Sequence, residues 1–264
     1  MSVLVGQVPD RSADAARRLG VRLARALGEP LVLCTVTHPG GSAADEVPAE
    51  DVEGVPVEVV HVADRSIPGG LARAAHTHQA EVVVLGDGPS GAGTVGARLA
   101  RAADVAVALA GASPGDGPIA RVTCAYGGGR DSAGVLAAAA DLARRTSAAL
   151  RVASFAPQRG PTVPPEAGLH AVRVVVETWR EQVLAAQRDA LASLGVEAET
   201  LAVADTTVEQ AVAGLDWDSG DLLVVGTAAA HAATRLLLGD PGAAVLRAAP
   251  VPVVLTPGAA VNRR

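Results

Sequence analysis

A loop that follows an apolar run near the C-terminus contains residue types that could bind phosphate. The stretch Val224 to Asp240 reads VVGTAAAHAATRLLLGD, with Gly226 directly after the apolar run and Gly239 thirteen positions later. Glycine lets a backbone approach a phosphate group without a Cβ and adopt a positive φ. The amino end of a helix after such a loop offers unbonded N–H groups and the positive end of the helix dipole to an anion. This arrangement is typical of a phosphate-binding loop between a strand and a helix.

A shorter glycine-rich loop follows another apolar run in the N-terminal half. Gly86 ends the run AEVVVLG, and the pair Gly93 and Thr94 precedes the next helical stretch. Residues 86–91 read GDGPSG, which matches the Gly-x-Gly-x-x-Gly pattern of dinucleotide-binding loops. Pro89 interrupts this pattern, and no acid follows the next apolar run, VAVALA, to hold a ribose. We interpret the dinucleotide pattern as a chance match.

Both loops belong to an internal repeat. The order SVLVGQV, DRSADAARRLGVRLARALG, PLVLCTV in the first half is matched by RVTCAYG, RDSAGVLAAAADLARRT, ALRVASF in the second. Each copy alternates strand-like and helical stretches, which favours a mainly parallel sheet with helices on both faces. We predict an α/β fold of two tandem doubly wound, five-stranded, mainly parallel sheets. The first domain spans residues 1–111, a Gly/Pro-rich linker spans 112–118, and the second domain spans 119–264.

The two copies differ between their second and third strands. In the second copy, apolar residues recur at helical spacing between Glu166 and Leu194, which predicts a helix carrying Trp179 on its apolar stripe. The first copy has only a Pro/Gly-rich acidic stretch there, so we expect it to lack this helix and to expose an apolar sheet face. Such a face would suit a homodimer contact or a protein partner. The last strands of the two copies are expected to pair with each other, since exposed apolar edges seek pairing.

Composition and charge exclude several functional classes. The chain has 264 residues, a formal net charge of −6 and an aromatic content of only 2%, so nucleic acid is not expected as a partner. The two cysteines, Cys34 and Cys124, each lie in an apolar strand-like run and are expected to be buried thiols. No signal peptide or long apolar segment is apparent, and we expect a cytoplasmic protein without membrane association.

No metal site is predicted. His76 and His78 are two positions apart on a predicted helix, so their side chains point to different faces. His231 lies in the loop between Gly226 and Gly239, where we expect it to be exposed to solvent. The acids between Asp45 and Glu53 lack the spacing of a calcium loop and are expected to be solvated.

The repeat, the glycine loops and the ending AAPVPVVL together resemble the universal stress protein family in a tandem, two-domain form. The resemblance covers nearly the whole chain and is strongest in DLLVVGTAAAHAATRLLLGDPGAAVLRAAPVPVVL. It implies a Rossmann-like, adenine-nucleotide-binding fold and a role in stress physiology. Nucleotide-binding members carry Gly-x2-Gly-x9-Gly-Ser/Thr after the fourth strand and an Asp at the end of the first strand.

The resemblance, carried over residue by residue, indicates that the second copy has lost its phosphate contacts. Gly226 and Gly239 match the first and third glycines, whereas Ala229 replaces the second and Asp240 replaces the Ser/Thr. A carboxylate repels phosphate and accepts hydrogen bonds from the same helix N–H groups, so Asp240 is expected to be the N-cap of the last helix. The first-strand Asp would fall near Gly127, where no acid occurs.

In the first copy, Gly86 matches the first glycine and Gly93-Thr94 matches the final pair, but the loop is six residues shorter than the family spacing. The first-strand Asp would fall near Val8 and is again absent. The candidate phosphate-loop positions are therefore Gly226, Thr227, Gly239 and Asp240 in the second copy and Gly86, Gly93 and Thr94 in the first.

We therefore predict a universal stress protein-like binding or regulatory protein of the stress response, not an enzyme, with both nucleotide sites degraded and no resident cofactor. The first alternative is a stress sensor whose second domain still binds ATP or AMP. The alternative from another class is a nucleotide hydrolase on the same scaffold, which would require a catalytic base and metal-binding acids near the glycine loops.

Overall fold

The structure is a computed structural model of a layered α/β protein. The structural statements below concern the residues that it describes, which are 1–7, 12–39, 52, 54–86, 95–102, 105–111, 115, 117–129, 131–158, 169–227 and 241–257.

The first half of the chain contributes five strands and three helices in the described ranges. In chain order they are β1 (Ser2–Gln7), α1 (Ser12–Leu27), β2 (Leu31–Thr37), β3 (Val57–Ala63), α2 (Ile67–Thr77), β4 (Ala80–Leu85), α3 (Val95–Ala102) and β5 (Ala106–Leu109).

The second half repeats this order and adds a helix between its second and third strands. Its elements are β6 (Arg121–Ala125), α4 (Ser132–Thr146), β7 (Ala149–Pro157), α5 (Leu169–Leu194), β8 (Glu199–Asp205), α6 (Val208–Ala213), β9 (Asp221–Gly226), α7 (Pro241–Ala248) and β10 (Val253–Thr256).

The ten strands form one continuous sheet in the order β3-β2-β1-β4-β5-β10-β9-β6-β7-β8. Within each half every strand pair is parallel, as helical crossovers require. The halves meet at β5 and β10, which pair antiparallel with Val253 opposite Leu109 and Leu255 opposite Val107. The predicted α/β class is confirmed, and the two predicted five-stranded sets are joined edge to edge as a single sheet.

Aliphatic side chains form a core on each face of the sheet. The core on one face contains residues of α1, α4 and α5, and the core on the other contains residues of α2, α3, α6 and α7. Central strands such as β1 and β9 are buried on both faces, which explains their nearly unbroken apolar sequences. Gly28 follows α1 with a φ of +70°, the left-handed conformation that is typical of a glycine directly after a helix.

The helix predicted between the second and third strands of the second half is present in the structure. α5 spans Leu169–Leu194, close to the helix predicted over Glu166 to Leu194, and packs on β8. Between β2 and β3 the described residues form no helix; Val52 and Val55 make an isolated antiparallel bridge instead. Val55 is buried and packs with the half-buried β3 side chains Val57 and Val59.

The sequence led us to expect an exposed apolar face beside β2 and β3. In the described ranges, however, the large exposed apolar side chains lie elsewhere. They are Met1, Ile67, Val174, Val175 and Leu194. Three of the five lie on α5, whose N-terminal part therefore presents its apolar residues to solvent.

Polar contacts also join the two halves beside the shared strand pair. Arg145 near the end of α4 forms an ion pair with Glu81 of β4, in which its Nη2 donates to Glu81 Oε1 at 2.9 Å. The same guanidinium lies 3.8 Å from Glu29. The hydrogen bond to Glu81 raises the pKa of Arg145, so this cation stays charged between α4 and the first half.

Candidate functional site

The candidate phosphate-loop positions follow the central strands at the carboxyl edge of the sheet. Gly86 comes directly after β4, and Gly226 ends β9 with Thr227 next. In the order β3-β2-β1-β4-β5 the chain reverses direction between β1 and β4, and in the second half it reverses between β6 and β9. Such switch points at the carboxyl ends of parallel strands are where open α/β sheets bind ligands. Gly86 and Gly226 therefore stand at the positions that a ligand would approach.

Four of the predicted site residues lie outside the described residues. They are Gly93, Thr94, Gly239 and Asp240. Ala229 and His231 of the second loop are also outside them. The helices that follow the two loops are described: α3 begins at Val95, directly after Thr94, and α7 begins at Pro241, directly after Asp240.

Gly226 has a packing role that needs no ligand. A Cβ at this position would come within 2.9 Å of Val135 Cγ2 on α4. Valine is stiff at χ1, so its methyl group cannot move aside without cost. The absence of a side chain at Gly226 therefore lets α4 pack closely on the end of β9.

Gly127 occupies the place at the end of β6 where the resemblance leads one to look for an acid. Among the described residues, a Cβ there would contact only Ser132 Oγ, at 3.8 Å. The neighbouring acid Asp131 is the N-cap residue of α4, but its side chain makes no capping hydrogen bond. No described residue therefore packs closely enough on position 127 to require a glycine there.

Two further acids at this edge, Asp64 after β3 and Asp205 at the end of β8, are used within the protein. Asp64 accepts a hydrogen bond from the Ser66 amide at 3.0 Å and pairs with Arg73 at 3.1 Å. Asp205 accepts from the Thr206 amide at 2.6 Å. The sequence reading passed over both, although the repeated Val-Ala-Asp of the two halves was a signal that could have found them.

The residues two positions beyond these acids cap the helices that follow. The Ser66 hydroxyl accepts from Gly69 N at 3.2 Å, and the Thr207 hydroxyl accepts from Gln210 N at 3.1 Å. These hydroxyls satisfy N–H groups at the start of α2 and α6 that would otherwise be available to an anion.

The sequence reading also missed a buried ionic cluster at the opposite, amino end of the second half. Asp221 at the start of β9 is 1% exposed and accepts from Arg121 Nε at 3.0 Å and from Arg121 Nη2 at 2.7 Å. Arg151 Nη2 lies 3.5 Å from the same carboxylate. The signal was an arginine or aspartate in strands that are otherwise apolar, because such residues are almost never fully buried unless paired.

Arg151 has hydrogen-bond partners at two of its three guanidinium nitrogens, whereas its buried Nη2 makes no hydrogen bond among the described residues. Its Nε donates to Thr123 Oγ1 at 3.0 Å, its Nη1 donates to the Asp216 carbonyl at 2.8 Å, and its Cζ lies 5.0 Å from the centre of the Trp217 ring. Burial lowers the pKa of Arg151, and repulsion from Arg121 lowers it further. The hydrogen bond to Asp221 raises the pKa of Arg121. This closed arrangement stabilises the sheet and presents no group to a ligand at the carboxyl edge.

In the described ranges no group of three His, Cys, Asp or Glu side chains is placed to hold a metal ion. No described helix is both long enough and apolar enough to cross a membrane.

The fold and the two glycine loops define a class of protein: doubly wound α/β proteins whose ligand edge lies at the switch points of a parallel sheet. Residues 118–257 match the model of the universal stress protein family. Since this match covers more than half of the chain, the chain belongs to the universal stress protein family, as its sequence predicted.

Related proteins extend the likeness over both halves. Universal stress proteins Mb2346c of Mycobacterium bovis and Rv2319c of Mycobacterium tuberculosis are each 29% identical to the chain over 299 aligned residues, covering 98% of it and all of the relative. A universal stress protein of Archaeoglobus fulgidus has a similar crystal structure, with a TM-score of 0.61 at 13% identity, covering 97% of this chain and 96% of that one. Protein PA1789 of Pseudomonas aeruginosa superposes with a TM-score of 0.58 at 17% identity, covering 97% and 92%. Family membership supports a regulatory role in the stress response.

Proposed function

We propose that this protein acts in the stress response by binding and regulation, without catalysis, and that neither glycine loop still binds a nucleotide. The observation that carries the proposal is the contrast between Gly226 and Gly127. Gly226 has a structural reason to be glycine, because a Cβ would approach Val135 Cγ2 to 2.9 Å. Gly127 has no such neighbour among the described residues, where a Cβ would meet only Ser132 Oγ, at 3.8 Å. The second half thus keeps the glycine that packing requires at the end of β9 and lacks the acid that a ligand would require after β6.

The start of α7 supports the same conclusion from its sequence. The residue before Pro241, where a phosphate-binding loop would place a hydroxyl, is Asp240. A carboxylate at an N-cap accepts from the backbone N–H groups two and three positions later and complements the helix dipole. We infer that Asp240 supplies the negative charge that a phosphate would otherwise bring to this helix.

The proposal that the protein is not a catalyst rests on the contacts that the carboxylates at the carboxyl edge of the sheet already make. Asp64 accepts from the Ser66 amide and pairs with Arg73, and Asp205 accepts from the Thr206 amide. Carboxylates engaged in this way have fewer oxygen lone pairs free to accept a substrate proton or to bind a metal ion.

The second candidate function is an ATP or AMP sensor that uses the second domain. Two observations favour it: Gly226 and Gly239 keep the family spacing, and no described residue comes closer than 3.8 Å to a Cβ placed at Gly127, just after β6. We rank it below the degraded-site proposal because Ala229 and Asp240 replace two of the groups that would contact phosphate.

We further infer a cytoplasmic location. Cys34 and Cys124 are both buried free thiols, which fits a reducing compartment.

Calorimetric titration with Mg·ATP and with AMP, alongside a phosphate-release assay, tests the proposal. The comparison is between the wild type and Gly239→Val, which would fill the loop beside α7. We expect the two proteins to give the same titration and neither to release phosphate. Micromolar nucleotide binding that Gly239→Val abolishes would establish the sensor instead, and turnover of ATP would establish the hydrolase.

A further inference from the structure

We draw no further inference here: the strongest candidate, the mainly apolar cleft of about 150 Å³ between α1 and α4 over the β5–β10 strand pair, carries none because nothing among the described residues shows what covers it.

Discussion

Leu4 and Val32 in the first half occupy the positions that Thr123 and Arg151 occupy in the second. The strand pairings show the equivalence, since Val3 lies opposite Leu31 on β1 and β2 as Val122 lies opposite Leu150 on β6 and β7. At these two positions the first half carries apolar side chains and the second half carries a threonine and a buried arginine. The two halves thus share one fold but fill equivalent buried positions with side chains of different chemistry.

The carboxyl ends differ in another way. The second half keeps the thirteen-residue spacing from Gly226 to Gly239, whereas the glycine loop of the first half is shortened. The packing contact of Gly226 with α4 explains part of what the second half has kept. The comparison teaches that a glycine in a nucleotide-loop position can have a packing role that needs no ligand.

The largest effect is expected from Asp221→Ala, which removes the carboxylate between Arg121 and Arg151. The variant leaves Arg151, 1% exposed, without its opposite charge. Breaking a buried ion pair from one side costs about 3–5 kcal/mol of unfolding free energy. Urea denaturation of variant and wild type measures the difference.

A second variant tests the same ionic cluster by placing the apolar residues of the first half at the equivalent positions of the second half. Thr123→Leu/Arg151→Val removes the second arginine and leaves Asp221 bonded to Arg121. We expect a cost below about 2 kcal/mol, because replacing buried ionic groups with apolar ones is often nearly neutral. A graft as damaging as Asp221→Ala would show that the second half depends on its ionic cluster as a whole.

The next largest effect on the unfolding free energy is expected to distinguish Gly226 from Gly127, the two glycines at the carboxyl edge of the sheet. Gly226→Ala should cost about 1–2 kcal/mol, since the new Cβ overlaps Val135 and overpacking strains a core. Gly127→Ala is the matched control and should change the unfolding free energy by less than about 0.5 kcal/mol. Equal effects at the two positions would contradict the packing explanation for Gly226.

A smaller effect is expected at the ion pair between the halves. Arg145→Met removes the half-buried contact with Glu81 and should destabilise the protein by about 1 kcal/mol, less at high salt. Arg144→Met removes an exposed pair with Asp141 and should cost close to nothing. Thermal unfolding at low and high salt gives the comparison, and an unchanged midpoint for Arg145→Met would show that the strand pair alone holds the halves together.

The thiols provide the smallest contrast between the halves. Burial raises the pKa of Cys34 to about 11 and that of Cys124 to about 12. Because the thiolate is the reactive form, neither should react with Ellman's reagent at pH 8 in the folded protein, and both should react in guanidinium chloride. A fast native reaction of Cys124 would indicate local opening of the second half.

The same pKa values set a stability change at high pH. Both thiols have a folded-state pKa above the ordinary value of 9.0, so their contribution is complete below that pH. It is lost as pH rises through about 11 for Cys34 and about 12 for Cys124. Cys34→Ala should flatten the fall of unfolding free energy between pH 9 and 11.

Local patterns predicted most of the elements. The apolar period predicted a helix that ends at Leu194, as α5 does, and the repeat predicted the order of strands and helices. These features depend on residues close together in the chain. The α/β class and the family followed from them.

Contacts between distant residues were not predictable in this way. Arg121 and Asp221 are 100 residues apart, and nothing in their local sequences shows that β6 and β9 place them side by side. The contact between α1 and the linker is equally non-local, because Arg22 is 95 residues from Gly117. The packing role of Gly226 likewise could not be predicted from sequence, because it depends on where α4 lies in the fold.

The central claim is that Gly226 of the second half still allows α4 to pack closely on β9, whereas the loop that follows Gly226 no longer binds a nucleotide. The most direct measurement is calorimetric titration with Mg·ATP of the parent protein and of Gly127→Asp/Ala229→Gly/Asp240→Ser. We predict no binding by the parent and saturable binding by the triple variant, which restores the acid, the glycine and the hydroxyl of the nucleotide-binding pattern. Micromolar binding by the parent that Gly239→Val abolishes would contradict the account.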